Sequence, residues 1–107
     1  MQKQQINKLK GLIGIANKAG YVIFGVDNLK NYNKKLYLVV KAMNCGNGIN
    51  KFVENLQRNE NKNIEFVEMD NQILQQVTMS DNCKIFGVKN KGLTEEIIKI
   101  LRSENIG

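Results

Sequence analysis

Cys45-Gly46-Asn47-Gly48 is the stretch of this 107-residue chain that comes nearest to a catalytic or phosphate-cradling loop. It follows an apolar run and precedes a helical pattern, the place where backbone amides gather round phosphates. A P-loop would continue into Gly-Lys-Ser or Gly-Lys-Thr, and a cysteine phosphatase would carry arginine where Lys51 stands. The chain has no histidine, the side chain that most often moves protons at neutral pH and binds metals through imidazole. With no base in sequence reach to form its thiolate, Cys45 is expected to be a small apolar filler. Cys83 lies far from it, without metal-ligand spacing, and both are expected as free thiols. These residues describe a non-catalytic protein that needs neither metal nor cofactor.

Charge is the chemistry that remains. Sixteen Lys and Arg against ten Asp and Glu give +6 and a pI of about 9.4. Residues 1 to 35 hold seven lysines, Lys3, Lys8, Lys10, Lys18, Lys30, Lys34 and Lys35, against the single acid Asp27, and so carry the whole excess. Charge confined to one third of a small domain favours a polyanionic partner, nucleic acid before anionic membrane. The plain alternative is a solvated face that aids solubility. No run approaches the roughly 18 apolar residues of a membrane span, so the expected setting is cytoplasmic, away from membranes, with a monomer as the default.

Local patterns supply the elements that must position those lysines. Ile6, Leu9, Leu12, Ile13, Ala16 and Ala19 recur at helical spacing opposite Lys3, Asn7, Lys10 and Asn17, and Gly20 is suited to end that helix. Gly11 and Gly14 inside it each cost about 1 kcal/mol relative to alanine, which predicts a sheet packed closely on their side. Tyr21 to Phe24 predicts a strand stopped by Gly25, followed by a short helix from Val26 to Tyr32. Leu36 to Val40 is apolar throughout, the mark of a central strand. A helix follows on Ile49, Phe52, Val53 and Leu56, then a polar run, then a strand from Ile64 to Val67. Asp70 is placed to cap a helix bearing Ile73, Leu74 and Val77. Ile85 to Val88 predicts the fourth strand, and Thr94 is placed to cap the last helix, with Glu95 and Glu96 on its dipole.

Helices alternating with strands predict one α/β domain over 1–107, a three-layer α/β/α sandwich whose four main strands are largely parallel. Its expected core is Leu9, Ile13, Ala16, Ile23, Leu38, Val40, Phe52, Leu56, Phe66, Ile85 and Ile98.

Leu12 to Lys30, LIGIANKAGYVIFGVDNLK, runs helix, a basic neighbour beside a small-residue pair (Lys18-Ala19-Gly20), strand, and glycine opening a short helix. In that order it resembles the ribosomal L7Ae/L30e family, in particular its small bacterial L7Ae-like members. Leu36 to Val40 is similar to the family's second strand, and Ile85 to Ile98, IFGVKNKGLTEEII, to its last strand and final helix. The resemblance covers nearly the whole chain. It implies an L30e-like fold and an RNA-binding protein of the translation apparatus, with folded RNA, including kink-turns, and ribosomal or translation-associated proteins as partners. Family members that grip kink-turns carry an Asn-Glu pair after the glycine and a lysine three positions beyond the glutamate. Here those positions read Asp27, Asn28 and Asn31, with Lys30 one place off, and the glycines usual near Leu74 and Thr78 are absent. The loop Thr78 to Asn82 flanks the RNA in the family.

The residues support this independently. A helix beginning at Gly25 presents backbone N–H groups to a phosphate or base edge. Lys18, Lys30, Lys34, Lys35, Lys89 and Lys91 form one basic rim if their loops share an edge. Tyr21, Phe24 and Tyr32 are the aromatics near this region; Phe24 is expected in the core and Tyr32 is the one expected to be exposed, too little for reading single strands, so a shape-reading grip on folded RNA is predicted. The expected contacts are Lys18, Gly25, Val26, Asp27, Asn28, Lys30, Asn31, Lys34, Lys35, Lys89 and Lys91. Two alternatives stand beside this: Gly25 is simply a tight turn, and the basic face docks an acidic protein without specific RNA binding.

Overall fold

The computed structural model describes residues 1–59 and 63–103. In chain order these form α1 (Lys3–Lys18), β1 (Val22–Phe24), α2 (Val26–Lys30), β2 (Leu38–Ala42), α3 (Asn47–Asn59), β3 (Glu65–Met69), α4 (Asn71–Thr78), β4 (Ile85–Val88) and α5 (Lys91–Ser103). Gly20 ends α1 as expected, with φ of +80° and its N–H donated to the Asn17 carbonyl at 3.0 Å. Asp70 caps α4, its Oδ1 accepting the Gln72 and Ile73 amides at 2.9 and 3.3 Å. The β2 strand starts two residues later than its apolar run, because Leu36 is spent on the core before pairing begins.

The last helix departs from expectation. It begins at Lys91, and Asn90 does the capping: its Oδ1 accepts the Leu93 amide at 2.9 Å. Asparagine caps at least as well as threonine, so the helix gains residues by starting early. Thr94 therefore lies inside the helix, buried, and among the described residues its Oγ1 has no hydrogen-bond partner. The first turn carries no acid, so Glu95 and Glu96 stand beyond the strongest part of the dipole.

The strands lie in the order β1-β4-β2-β3. Among neighbouring strands of the described residues β2 and β3 are the one parallel pair; β4 runs antiparallel to both β1 and β2, which with β3 point the same way. The expectation that the pairings are largely parallel is thus corrected, and the cause is where the chain enters β4. Met79 takes the left-handed conformation, φ of 57°, and the chain turns back with the Ser80 amide on the Gln75 carbonyl. Lys84 then arrives where β2 finishes, its carbonyl accepting the Ala42 N–H at 2.8 Å, and β4 can only run the opposite way.

One face of the sheet buries Val22, Leu38, Val40, Phe86 and Val88 against Leu9, Ile13 and Ala16 of α1, Leu74 and Val77 of α4 and Ile97 of α5. The other buries Val39 and Ile85 against Leu29 of α2 and Val53 of α3. This is the three-layer α/β/α sandwich. Leu9, Ile13, Ala16, Leu38, Val40 and Ile85 are fully buried as expected. Ile23, Phe52, Leu56 and Phe66 are half-buried because they face the thinner α2/α3 layer, and Ile98 is half-buried at the edge of α5. Gly11 and Gly14 meet no neighbouring element: a Cβ on either would stand in open space, so close packing is not what keeps them glycine. Among the described residues no helix is long and apolar enough to cross a membrane.

Candidate nucleic-acid interface

Reversal of β4 is what assembles the basic surface. Val22 of β1 and Leu38 of β2 both pair with Val88, so the start of β1, the end of β4 and the start of β2 lie side by side. One residue outward, the Lys89 N–H donates to the Tyr21 carbonyl at 2.8 Å and the Tyr37 N–H to the Val88 carbonyl at 2.9 Å. Strand side chains alternate between faces. Because Val22, Val88 and Leu38 point into the α1 layer, Tyr21, Lys89 and Tyr37 belong to the opposite face, where the chain leaving α2 sets Tyr32.

The side chains interleave there. The Lys89 ammonium sits 5.3 Å from the Tyr32 ring centroid, the Tyr32 hydroxyl donates to the Lys35 carbonyl at 3.2 Å, and the Lys35 ammonium sits 5.3 Å from the Tyr37 centroid. Tyr21, Lys89, Tyr32, Lys35 and Tyr37 thus form one alternating row, which includes all three tyrosines of the chain. Lys18 at the end of α1, Lys34, and Lys91 at the start of α5 are exposed at this same end. The opposing charges are Glu65, whose amide donates to the Tyr37 carbonyl at 3.0 Å, and Glu95, about one turn into α5. Of the expected basic rim, Lys18, Lys34, Lys35, Lys89 and Lys91 lie at this end, while Lys30 stands on α2. The aromatic content of the rim differs from expectation: Tyr21 is 41% exposed, whereas Tyr32, like Phe24, is half-buried. The sequence places Tyr21 near this region but not exposed, and it misses Tyr37, because only the strand register puts the two on one face.

Gly25 lies at the other end of β1. Its φ of 89° and ψ of 146° make the turn, its N–H donates to the Ile85 carbonyl at 3.0 Å, and its carbonyl accepts the Leu29 amide at 3.1 Å. The Gly25 amide is thus committed to the fold, and α2 has only five residues, so the expected anion site at a helix start is not built here. Asn28 donates Nδ2 to the Phe24 carbonyl at 2.8 Å, leaving its Oδ1 for any partner. Val26 packs half-buried against the second core cluster. Asp27, Lys30 and Asn31 are exposed along α2 and its C-cap. The α4–β4 loop lies alongside, since it leads directly into Ile85, and adds Asp81 and Lys84. The Gly25 turn and the lysine rim are separated by the length of β1, roughly 10 Å, and joined by the exposed side of α2.

The loop at Cys45 serves the fold. Cys45 is buried, its thiol 3.3 Å from Asn50 Oδ1, which also accepts from Lys41 Nζ at 2.7 Å. Lys41 pairs with Glu68 at 3.0 Å on the rim of a groove of about 310 Å³ between α3 and β3. Cys83 is likewise buried and free, and burial raises its thiol above the ordinary value.

No protein-family model matches this chain, and no curated protein does. Among solved structures it is similar to a protein of unknown function from Bacillus halodurans, with a TM-score of 0.65 at 20% identity, over 89% of this chain and 97% of that one. The shared property is the α/β fold.

Proposed function

We propose that this chain is a non-catalytic, cytoplasmic RNA-binding protein of the translation apparatus, of the kind its resemblance to the L7Ae/L30e family implies. The observation that carries this reading is the rim: lysines from three separate stretches of chain converge on one end of the sheet, interleaved with every tyrosine of the chain. Folded RNA lying along the outer side of α2 meets the lysine rim at one end and the Gly25 turn at the other. The rim supplies charge; the turn, as in the resembling family, supplies what discrimination there is. A monomer suffices for this geometry.

The test is a salt titration of binding to a structured RNA. About four to five phosphate contacts give a slope of log K against log salt near −4 for a duplex-like ligand. Replacing Lys34, Lys35 and Lys89 together with alanine should lower that slope by about 2 to 3. An unchanged slope moves the binding face elsewhere. Absence of binding at low salt overturns the reading and leaves the basic face for an acidic protein partner.

A further inference from the structure

We infer that the row Tyr21, Lys89, Tyr32, Lys35, Tyr37 stacks the unpaired bases of a single-stranded RNA segment. This rests on the RNA-binding reading above and adds the class of RNA element taken at the rim.

The geometry has three parts. Tyr21, Lys89 and Tyr37 end three neighbouring strands, so the two outer tyrosine backbones stand roughly 10 Å apart, two strand spacings. That is far wider than the roughly 3.4 Å between stacked bases along a helical strand, so bases reaching both rings must be splayed, which a duplex forbids and a single strand permits. Second, two of the tyrosines are anchored: the Tyr32 hydroxyl donates to the Lys35 carbonyl, and the Tyr37 main chain bonds both Val88 and Glu65. Third, flexible lysines cover the two half-buried rings at 5.3 Å.

That cover is exchangeable. An ammonium over a tyrosine is worth a factor of about 2 to 5 in an equilibrium constant at an exposed ring and about 30 at a desolvated one, and these half-buried rings lie between. A stacked base is worth a factor of about 5 to 150. A base therefore displaces the ammonium, and the freed lysine meets the phosphate of the same strand. Each Tyr–Lys pair in the row exchanges one partner for two.

Because the chain has three tyrosines, all in this row, and no tryptophan, its intrinsic emission reports on this end alone. The experiment titrates the unaltered protein with three ligands: a uridine oligomer of about ten nucleotides, an abasic ribose-phosphate oligomer of the same length and charge, and a duplex RNA. The uridine oligomer should bind about tenfold or more tighter than the abasic one and quench the emission saturably, while the abasic oligomer and the duplex quench little. Tyr37→Phe, which keeps the ring, should retain this preference. Tyr21→Leu should lower uridine-oligomer affinity several-fold and leave abasic affinity unchanged. Equal binding of uridine and abasic oligomers, or stronger quenching by duplex, overturns the stacking inference and leaves RNA binding intact. If these ligands and structured RNA all fail to bind at low salt, the RNA-binding reading falls and this inference falls with it.

Discussion

Leu29 of α2 occupies the space that a side chain on Gly87 of β4 would need: a Cβ at Gly87 would stand 2.7 Å from Leu29 Cδ2. The same Cβ would meet Leu36 Cδ2 at 3.1 Å, and both leucines are buried in the second core cluster. Gly87 is what lets the short α2 lie against the sheet. Gly87→Ala should therefore destabilise the fold by about 1–3 kcal/mol, seen as a lower urea midpoint with unchanged slope. A loss below about 0.5 kcal/mol, the range of an ordinary surface change, would show that Leu29 moves aside freely.

Gly25→Ala tests the turn itself. The backbone there lies at φ 89° and ψ 146°, a region other residues enter only at about 1–3 kcal/mol. Chemical denaturation should show that loss, while the salt slope of RNA binding, set by the lysine rim, should stay as it was.

The start of α5 offers a paired test. Asn90→Ala removes the observed cap and should cost about 1 kcal/mol. Thr94→Val removes a buried hydroxyl without a partner among the described residues, so it should leave stability unchanged or raise it by about 1 kcal/mol. Thermal melts of the two variants distinguish this arrangement from one capped by Thr94, which would reverse the order.

Cys83 sets a limit at high pH. Burial raises its thiol in the fold, so the folded state favours the neutral form. Its contribution is complete below the ordinary thiol value, about 8.5, and is lost as pH rises through the folded value. The stability difference between the unaltered protein and Cys83→Ala should shrink as pH is raised from about 8.5 upward. Alkylation of Cys83 should also wait for unfolding at neutral pH.

Discrimination between RNAs is tested at α2. Asp27→Asn, Asn28→Glu and Asn31→Lys together restore the pattern of the resembling family and should raise the preference for a kink-turn over an equal-length duplex by about tenfold or more, the worth of a bidentate base contact in the DNA case. Asn28→Glu gives up the donor to the Phe24 carbonyl, so the triple variant should also lose about 1 kcal/mol of stability. A native chain that already prefers the kink-turn by about a hundredfold, near 2.7 kcal/mol, would show the present residues to be competent.

Much of the fold was legible from local pattern. The apolar stripe of α1 and its end at Gly20, the Asp70 cap and the bounds of β4 depend on residues near one another in sequence, and each emerged as expected. The lysine excess of the first third was likewise plain, because charge adds without regard to shape. The two layers of helix followed from strands apolar on both faces, which must be covered on both.

What the tertiary structure alone decided was direction and partnership. A short apolar run carries no record of which strand it will pair with or which way it will point; here the chain enters β4 at Lys84, beside Ala42 at the end of β2, and so runs antiparallel between β1 and β2. That entry point gathered Lys89 with Tyr21 and Tyr37 at one end of the sheet and left Gly25 at the other. Pattern within a segment reflects short-range sterics and burial, so the sequence states it directly. The meeting of distant segments is determined only when competing pairings are resolved in a closed core, and the candidate site consists of such meetings.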